Sequence, residues 1–310
     1  MRTLITGGAG FIGSNLVDAL LKRGDNVAVI DNLSTGKREN LVWALEQGAT
    51  LHVGDVCDGA AMIEMVDRIE PVVIYHLAAQ IDVRRSVADA ALDARINVEG
   101  TINMLDAARR ASVNRFVNVS SGGAIYGEPD RVPAPETAKI RPEAPYGQSK
   151  FAAEGYCELY RRLHRLSTVS LRFGNVYGLR QDPLREAGVI AIFCGCLADG
   201  KRPTVYGDGC QTRDYVYVED IVTALLAAAD ADAHGSFNIG RGIETTVLEL
   251  IAILAQHADE HNFTPDFAPP RPGEIQRIAL DSSLAKRELG WRAEIGLSDG
   301  IARTLASLNT

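Results

Sequence analysis

The chain has 310 residues and a formal net charge of -8, with a pI near 5.3. That balance excludes a surface built to coat nucleic acid, since phosphate backbones select basic patches. With 46% hydrophobic and 23% charged residues, the composition is that of a globular protein long enough for two domains, or for one α/β unit with a smaller lobe.

The five cysteines, Cys57, Cys157, Cys194, Cys196 and Cys210, are an odd number spread through the chain. They make no disulfide framework and are read as reduced thiols. The opening apolar run is too short for a signal peptide or a membrane span, and no later stretch is long enough. A cytoplasmic protein with no membrane partner is therefore expected.

In chain order, Leu4-Ile5 leads into Thr6-Gly7-Gly8-Ala9-Gly10-Phe11-Ile12-Gly13, and Ser14 to Lys22 then shows helical periodicity closed by Gly24. The order is strand, glycine turn, helix. Gly8-x-Gly10-x-x-Gly13 fits the dinucleotide fingerprint, whose glycines allow a tight turn and close approach of backbone to a pyrophosphate at the helix N-terminus. A second apolar run, Val27 to Ile30, ends in Asp31. A carboxylate there accepts ribose hydroxyls and repels a 2′-phosphate, which favours NAD over NADP, although Lys37 and Arg38 are near enough in sequence to soften the preference.

The alternation continues through Thr50 to Val53 with Gly54-Asp55 at its tip, Val72 to Tyr75 followed by His76-Leu77-Ala78-Ala79, and Phe116 to Val119 followed by Ser120-Ser121. Strands alternating with helices give an α/β, doubly wound parallel sheet of the Rossmann type, with ligands beyond the carboxyl ends of its strands. His76 is read as structural, just past a strand. Beyond Gly178 the alternation breaks down. Asp182 to Gly188 and the proline-rich Asn262 to Gly273 read as loops, Val247 to His257 and Ser283 to Leu289 as helices, and Tyr215 to Val222 as a return to the main sheet.

Tyr146 and Lys150 stand four residues apart at the start of a helical run, so both occupy one face. A nearby ammonium favours a phenolate, which turns a poor base into a usable one. Cys194-x-Cys196 has no second pair and is read as packing rather than zinc ligation. His164, His234, His257 and His261 lack ligand spacing, so no metal site is expected.

Thr6-Gly-Gly-Ala-Gly-Phe-Ile-Gly13, Asp31-Asn32, Gly54-Asp55, His76-Leu-Ala-Ala79, Ser120-Ser121, Tyr126-Gly127 and Tyr146-x-x-x-Lys150 together resemble the extended short-chain dehydrogenase/reductase family of nucleotide-sugar enzymes. Arg172-Phe-Gly-Asn-Val-Tyr-Gly178, Tyr206-Gly-Asp-Gly209, Thr212-Arg-Asp-Tyr-Val-Tyr-Val218, Phe237-Asn-Ile-Gly240 and Arg271-Pro-Gly-Glu274 extend the resemblance along nearly the whole chain, closest to the branch of UDP-glucose/UDP-galactose 4-epimerases.

The resemblance implies an NAD-binding Rossmann domain over 1–175, with a return near 213–240, and a smaller, discontinuous nucleotide-sugar-binding lobe over 176–310. For the cofactor it implies Gly7, Gly10, Phe11, Ile12, Gly13, Asp31, Asn32, Ser34, Thr35, Gly36, Asp55, Val56, Leu77, Ala78, Ala79, Gln80, Val119, Ser120, Tyr146, Lys150 and Phe173. For a UDP-sugar it implies Val83, Ser121, Tyr146, Asn175, Val189, Thr204, Tyr206, Arg213, Arg271 and Glu274, with the two arginines on pyrophosphate, Tyr206 against uracil and Glu274 on ribose. Tyr146, Lys150 and Ser121 are the implied catalytic set. The hydroxyl usual in the family falls on Gly122, so Ser121 is taken in its place.

The dehydratases of the family carry an Asp-Glu pair where this chain has Gly123 and Ala124, which favours epimerisation over 4,6-dehydration. Ile278 matches a position that is bulky in enzymes restricted to plain hexoses, so N-acetylated substrates are also expected to be accepted. Enzymes acting on UDP-glucuronate or dTDP-sugars, and a non-catalytic NAD-binding sensor, remain alternatives. A homodimer is implied through helices near 93–110 and 148–164, including Leu105, Ala108, Tyr156 and Tyr160.

Overall fold

A computed structural model describes residues 1–182, 188–257, 263–271 and 274–308. Seven parallel strands form the central sheet: β1 (Arg2–Thr6), β2 (Asn26–Asp31), β3 (Thr50–Val53), β4 (Val73–His76), β5 (Arg115–Ser121), β6 (Thr168–Phe173) and β7 (Gly235–Ile239). Their spatial order is β7-β6-β5-β4-β1-β2-β3. The winding reverses between β1 and β4, where Leu4 lies opposite Ala28 on one side and Ile74 on the other. Loops leaving β1 and β4 part there and open a crevice.

The strands read as continuous apolar runs because both faces are covered. Leu4, Ala28, Ile30, Ile74 and Phe116 share one face with Met62, Val66, Met104, Leu105, Ala108, Cys157 and Tyr160. These last seven come from the helices Gly59–Ile69, Gly100–Arg110 and Pro145–His164. Ile5, Val29, Tyr75, Val117 and Leu171 share the other face with Leu16, Leu20, Ile221 and Leu225, from the helices Phe11–Lys22 and Val218–Asp230. A third cluster, with Tyr177, Ile190, Phe193, Cys194, Tyr215, Leu250, Leu254 and Ile301, gathers later segments of the chain.

Two expectations are corrected. Tyr215–Tyr217 does not enter the main sheet. It pairs with Asn175–Tyr177 in a separate two-stranded ribbon, the helix begins at Val218, and β7 joins the sheet beside β6. The proline-rich stretch is not all loop either. Asp266–Ala268 is a short strand parallel to Thr204–Tyr206, and Pro265 and Pro269 bound it where no ladder donor is needed. Residues 183–187 of the first expected loop, 262 and 272–273 of the second, and His261 lie outside the described residues. No helix among the described residues is long and apolar enough to cross a membrane.

Candidate active site

The crevice widens into a cavity of about 610 Å³ beyond the carboxyl ends of the strands, a size suited to an extended small molecule. All residues named for the cofactor, from Gly7 to Phe173, line it. The helix Phe11–Lys22 points its N-terminus into it, and its N-cap, Gly10, provides no side-chain cap. The first N–H groups of that helix thus remain available to an anion. A Cβ at Gly13 would lie 2.2 Å from Gly7 O, so only glycine lets the turn fold this closely onto the helix.

Asp31 anchors the next wall. Its Oδ2 accepts from Ala9 N at 2.9 Å and its Oδ1 from Leu33 N at 2.8 Å. Burial pushes its carboxyl up, with the two amides opposing. Asn32 donates to Asp55 at 2.9 Å. Ser120 Oγ is buried on the cavity wall with no hydrogen-bond partner, an orphaned donor that a bound ligand would satisfy. The cradle therefore fits a dinucleotide: a free helix terminus for pyrophosphate, an acid for ribose and an unspent hydroxyl.

Ser121, Tyr146 and Lys150 line the same cavity. Tyr146 and Lys150 sit in the first turns of the helix Pro145–His164, and Ser121 closes β5. Lys150 is 7% exposed and its Nζ donates to Val119 O at 2.9 Å. Burial lowers its pKa to about 8, with the carboxylates of Asp93 and Glu154 pulling it back up. Glu154 is itself held by Arg172 at 2.7 Å, both side chains buried.

Gly122 is buried and absent from the wall. A Cβ there would meet Leu280 Cδ1 at 2.5 Å, within an apolar cluster of Ile125, Tyr126, Ala134, Ile278 and Leu280. A side chain at position 122 would run into Leu280, whereas Ser121 lines the cavity.

His76 does not line the cavity. Its Nδ1 meets Thr6 Oγ1 at 2.8 Å and its Nε2 meets Thr101 Oγ1 at 3.1 Å. Thr101 gives its own proton to Asn97 O, which assigns the ring proton to Nε2. Full burial, aided by the Lys150 charge, lowers the pKa to about 3. This is a neutral structural imidazole.

Of the residues named for the sugar nucleotide, only Ser121, Tyr146 and Asn175 line this cavity. Val83, Val189, Thr204, Tyr206, Arg213, Arg271 and Glu274 do not. Four of them engage one another instead. Arg213 donates to Glu274 Oε1 at 3.3 Å and to Ile275 O at 2.7 Å, and the Arg271 guanidinium lies 3.8 Å over the Tyr206 ring. Ile278 is 1% exposed in the Leu280 cluster, so it is no wall of the cavity and cannot set room for an N-acetyl group from where it stands.

Lys37, named in the sequence beside Asp31, lines the cavity, and sequence reasoning missed Arg85, Arg180 and Asp182 on the same wall. Lys37 and Asp182 form an ion pair at 2.6 Å. No local pattern signals such a contact between distant segments, and the pair engages the cation that would otherwise soften the Asp31 preference. Among the described residues no group of three or more His, Cys, Asp and Glu is placed to hold a metal ion.

A helix N-terminus with uncapped amides, lining one cavity with a tyrosine and a buried lysine at a Rossmann switch point, defines a dinucleotide-dependent enzyme of the extended short-chain dehydrogenase/reductase class. The chain belongs to the family described as GDP-mannose 4,6 dehydratase, whose model matches residues 4–304. It is 44% identical over 307 residues to the UDP-glucose 4-epimerase of Mycolicibacterium smegmatis, covering 98% of this chain and 97% of the relative. Among solved structures, the UDP-glucose 4-epimerase of Thermotoga maritima with UDP-glucose superposes with a TM-score of 0.96 at 40% identity, covering 100% of this chain and 99% of that one. The Thermus thermophilus UDP-glucose 4-epimerase in complex with NAD gives 0.92 at 42% identity, with the same coverage.

Proposed function

We propose that the chain is an NAD-dependent 4-epimerase that interconverts UDP-glucose and UDP-galactose through a transient 4-keto sugar. The observation that carries this reading is that Ser121, Tyr146 and Lys150 line the same cavity as Gly7, Gly10, Gly13 and Asp31 of the dinucleotide fingerprint. The relatives' names point the same way.

When bound, the cofactor supplies a reversible hydride acceptor for C4 of the hexose. Tyr146, as phenolate, takes the proton of the 4-hydroxyl and returns it as acid in the reverse step. Ser121 donates a hydrogen bond to the same oxygen. Lys150 would hold a positive charge near the phenol and would bind the cofactor's ribose. The 4-keto sugar is flat at C4, so turning it within the cavity would present its other face to the cofactor, and reduction there would give the epimer. The segment after Ser121, Gly122–Ile125, carries no carboxyl, so loss of the 6-hydroxyl lacks its proton carriers.

Arg213, Arg271, Tyr206 and Glu274 are assigned to the UDP moiety. They satisfy one another in the structure, so nucleotide binding exchanges these contacts for pyrophosphate, uracil and ribose. In this reading residues 1–175, returning near 213–240, form the cofactor domain and 176–310 the discontinuous substrate lobe.

A cytoplasmic homodimer completes the proposal, with its seam moved. Leu105 and Ala108 are fully buried and Tyr160 is 8% exposed, all in the chain's own core. The apolar residues left outside on the helix Pro145–His164 are Phe151, Tyr156, Leu159 and Leu163, which a second copy would cover.

Incubation with UDP-galactose, UDP-N-acetylgalactosamine, UDP-glucuronate and dTDP-glucose without added NAD tests the function. UDP-glucose is expected from UDP-galactose. Turnover of the others alone would overturn the assignment.

A further inference from the structure

The helix that carries Tyr146 and Lys150 starts without a cap of its own. Its N-cap residue, Ala144, has no side-chain acceptor, and Pro145 at the first helical position has no N–H. Tyr146 therefore brings the first backbone donor of the helix, one of the groups that no intrahelical carbonyl can reach.

That donor is met from elsewhere. Tyr146 N donates to Ser86 Oγ at 3.2 Å, from a residue 60 positions away. Ser86 is 0% exposed and sends its own hydroxyl proton to Val83 O at 2.6 Å, which leaves its lone pairs for Tyr146.

The helix Val83–Ala88 that presents Ser86 is itself tied down. Asp82 caps it, accepting from Arg84 N at 2.8 Å and Arg85 N at 3.2 Å. Asp82 N in turn donates to Gln80 Oε1 at 2.6 Å. Gln80 and Arg85 both line the cavity. A continuous set of hydrogen bonds thus runs from the cavity wall at Gln80, through Asp82 and the short helix, to the backbone of the residue that bears the phenol.

We infer that Ser86 is a positioning residue, a cap supplied in trans that fixes Tyr146 relative to the cavity wall formed by Gln80 and Arg85. A cap within the same segment would move with its helix. One from a second wall element locks the two together. Proton transfer needs heavy atoms within hydrogen-bond reach, and small misplacements of such groups cost large rate factors. The inference rests on the reading of Tyr146 as the proton carrier.

The test compares Ser86→Ala, Ser86→Cys and Thr168→Val, each assayed with UDP-galactose for kcat, KM and copurifying NAD, and melted in parallel. Thr168 is a control for stability alone. It is 2% exposed, and its Oγ1 donates to Cys157 O at 2.9 Å, farther along the same helix.

Ser86→Ala is expected to lose about tenfold in kcat, the rate equivalent of a lost cap of about 1.4 kcal/mol, with KM and NAD content unchanged. Ser86→Cys, a weaker acceptor, should fall between it and the parent. Thr168→Val should melt lower and keep its kcat. A parental kcat in Ser86→Ala, or an equal loss in Thr168→Val, would overturn the inference. If Ser86→Ala does not fold, a parental kcat in Ser86→Cys overturns it and a reduced one upholds it. An unsubstituted protein that fails to turn over UDP-galactose would refute the functional reading, and the inference with it, before any variant is compared.

Discussion

Moving one hydroxyl by one residue puts the proposed chemistry under direct strain. Ser121→Ala removes the hydrogen bond offered to the oxygen on C4, where negative charge develops. Loss of one such donor costs about 3 kcal/mol, or a factor of about 10² in kcat. Gly122→Ser restores a hydroxyl at the position usual in the family, but its Cβ would lie 2.5 Å and 2.8 Å from the two Leu280 methyls and 3.2 Å from Arg172 O. The methyls must shift, an overpacking cost of about 1–3 kcal/mol in stability, and the new hydroxyl faces the Leu280 cluster.

The double variant Ser121→Ala/Gly122→Ser should therefore be both slower and less stable, with no recovery of kcat over Ser121→Ala. Initial rates of UDP-glucose formation from UDP-galactose, with urea midpoints measured alongside, read both effects. Parental kcat in Ser121→Ala, or recovery in the double variant, would refute the geometry assigned to this loop.

Two pH dependences follow from burial. Lys150 loses its proton at about 8 rather than at the ordinary lysine value of 10.5, so kcat should fall as pH rises through about 8, and Lys150→Arg should carry that limb to higher pH. The sign for stability is opposite: between about 8 and 10.5 the unfolded chain binds the proton that the native one has released, so this group's contribution rises with pH there. His76, with a pKa of about 3 against 6.5 unfolded, stays neutral in the fold. Its contribution is complete above pH 6.5 and is lost as pH falls toward 3, by about 2 kcal/mol at pH 5. Urea unfolding should show that slope, and His76→Gln should flatten it.

The first five strands were legible because each apolar run stops at a small or polar tip, and that tip is where a parallel sheet meets its ligand. Asp31 and the glycines could be placed for the same reason. Tyr215–Tyr217 was misplaced because a Tyr-Val-Tyr strand has the same pattern whether it pairs with β6 or with Asn175–Tyr177. Leu105, Ala108 and Tyr160 were taken for a subunit seam because periodicity marks an apolar face without saying which body covers it. Here the sheet does. The Ser86 cap and the Lys37–Asp182 pair left no trace in the sequence, since each joins segments with no local signature.

Tyr146 lies at the centre of these effects, and the claim that it serves a 4-keto sugar formed and reduced in one cavity can be tested on the hydrogen at C4. UDP-galactose deuterated at C4 would be incubated with the protein in ordinary water, without added NAD, and the UDP-glucose formed examined by mass spectrometry and NMR. The account predicts UDP-glucose with the deuterium retained at C4. Deuterium lost to solvent, or no UDP-glucose at all, would contradict it.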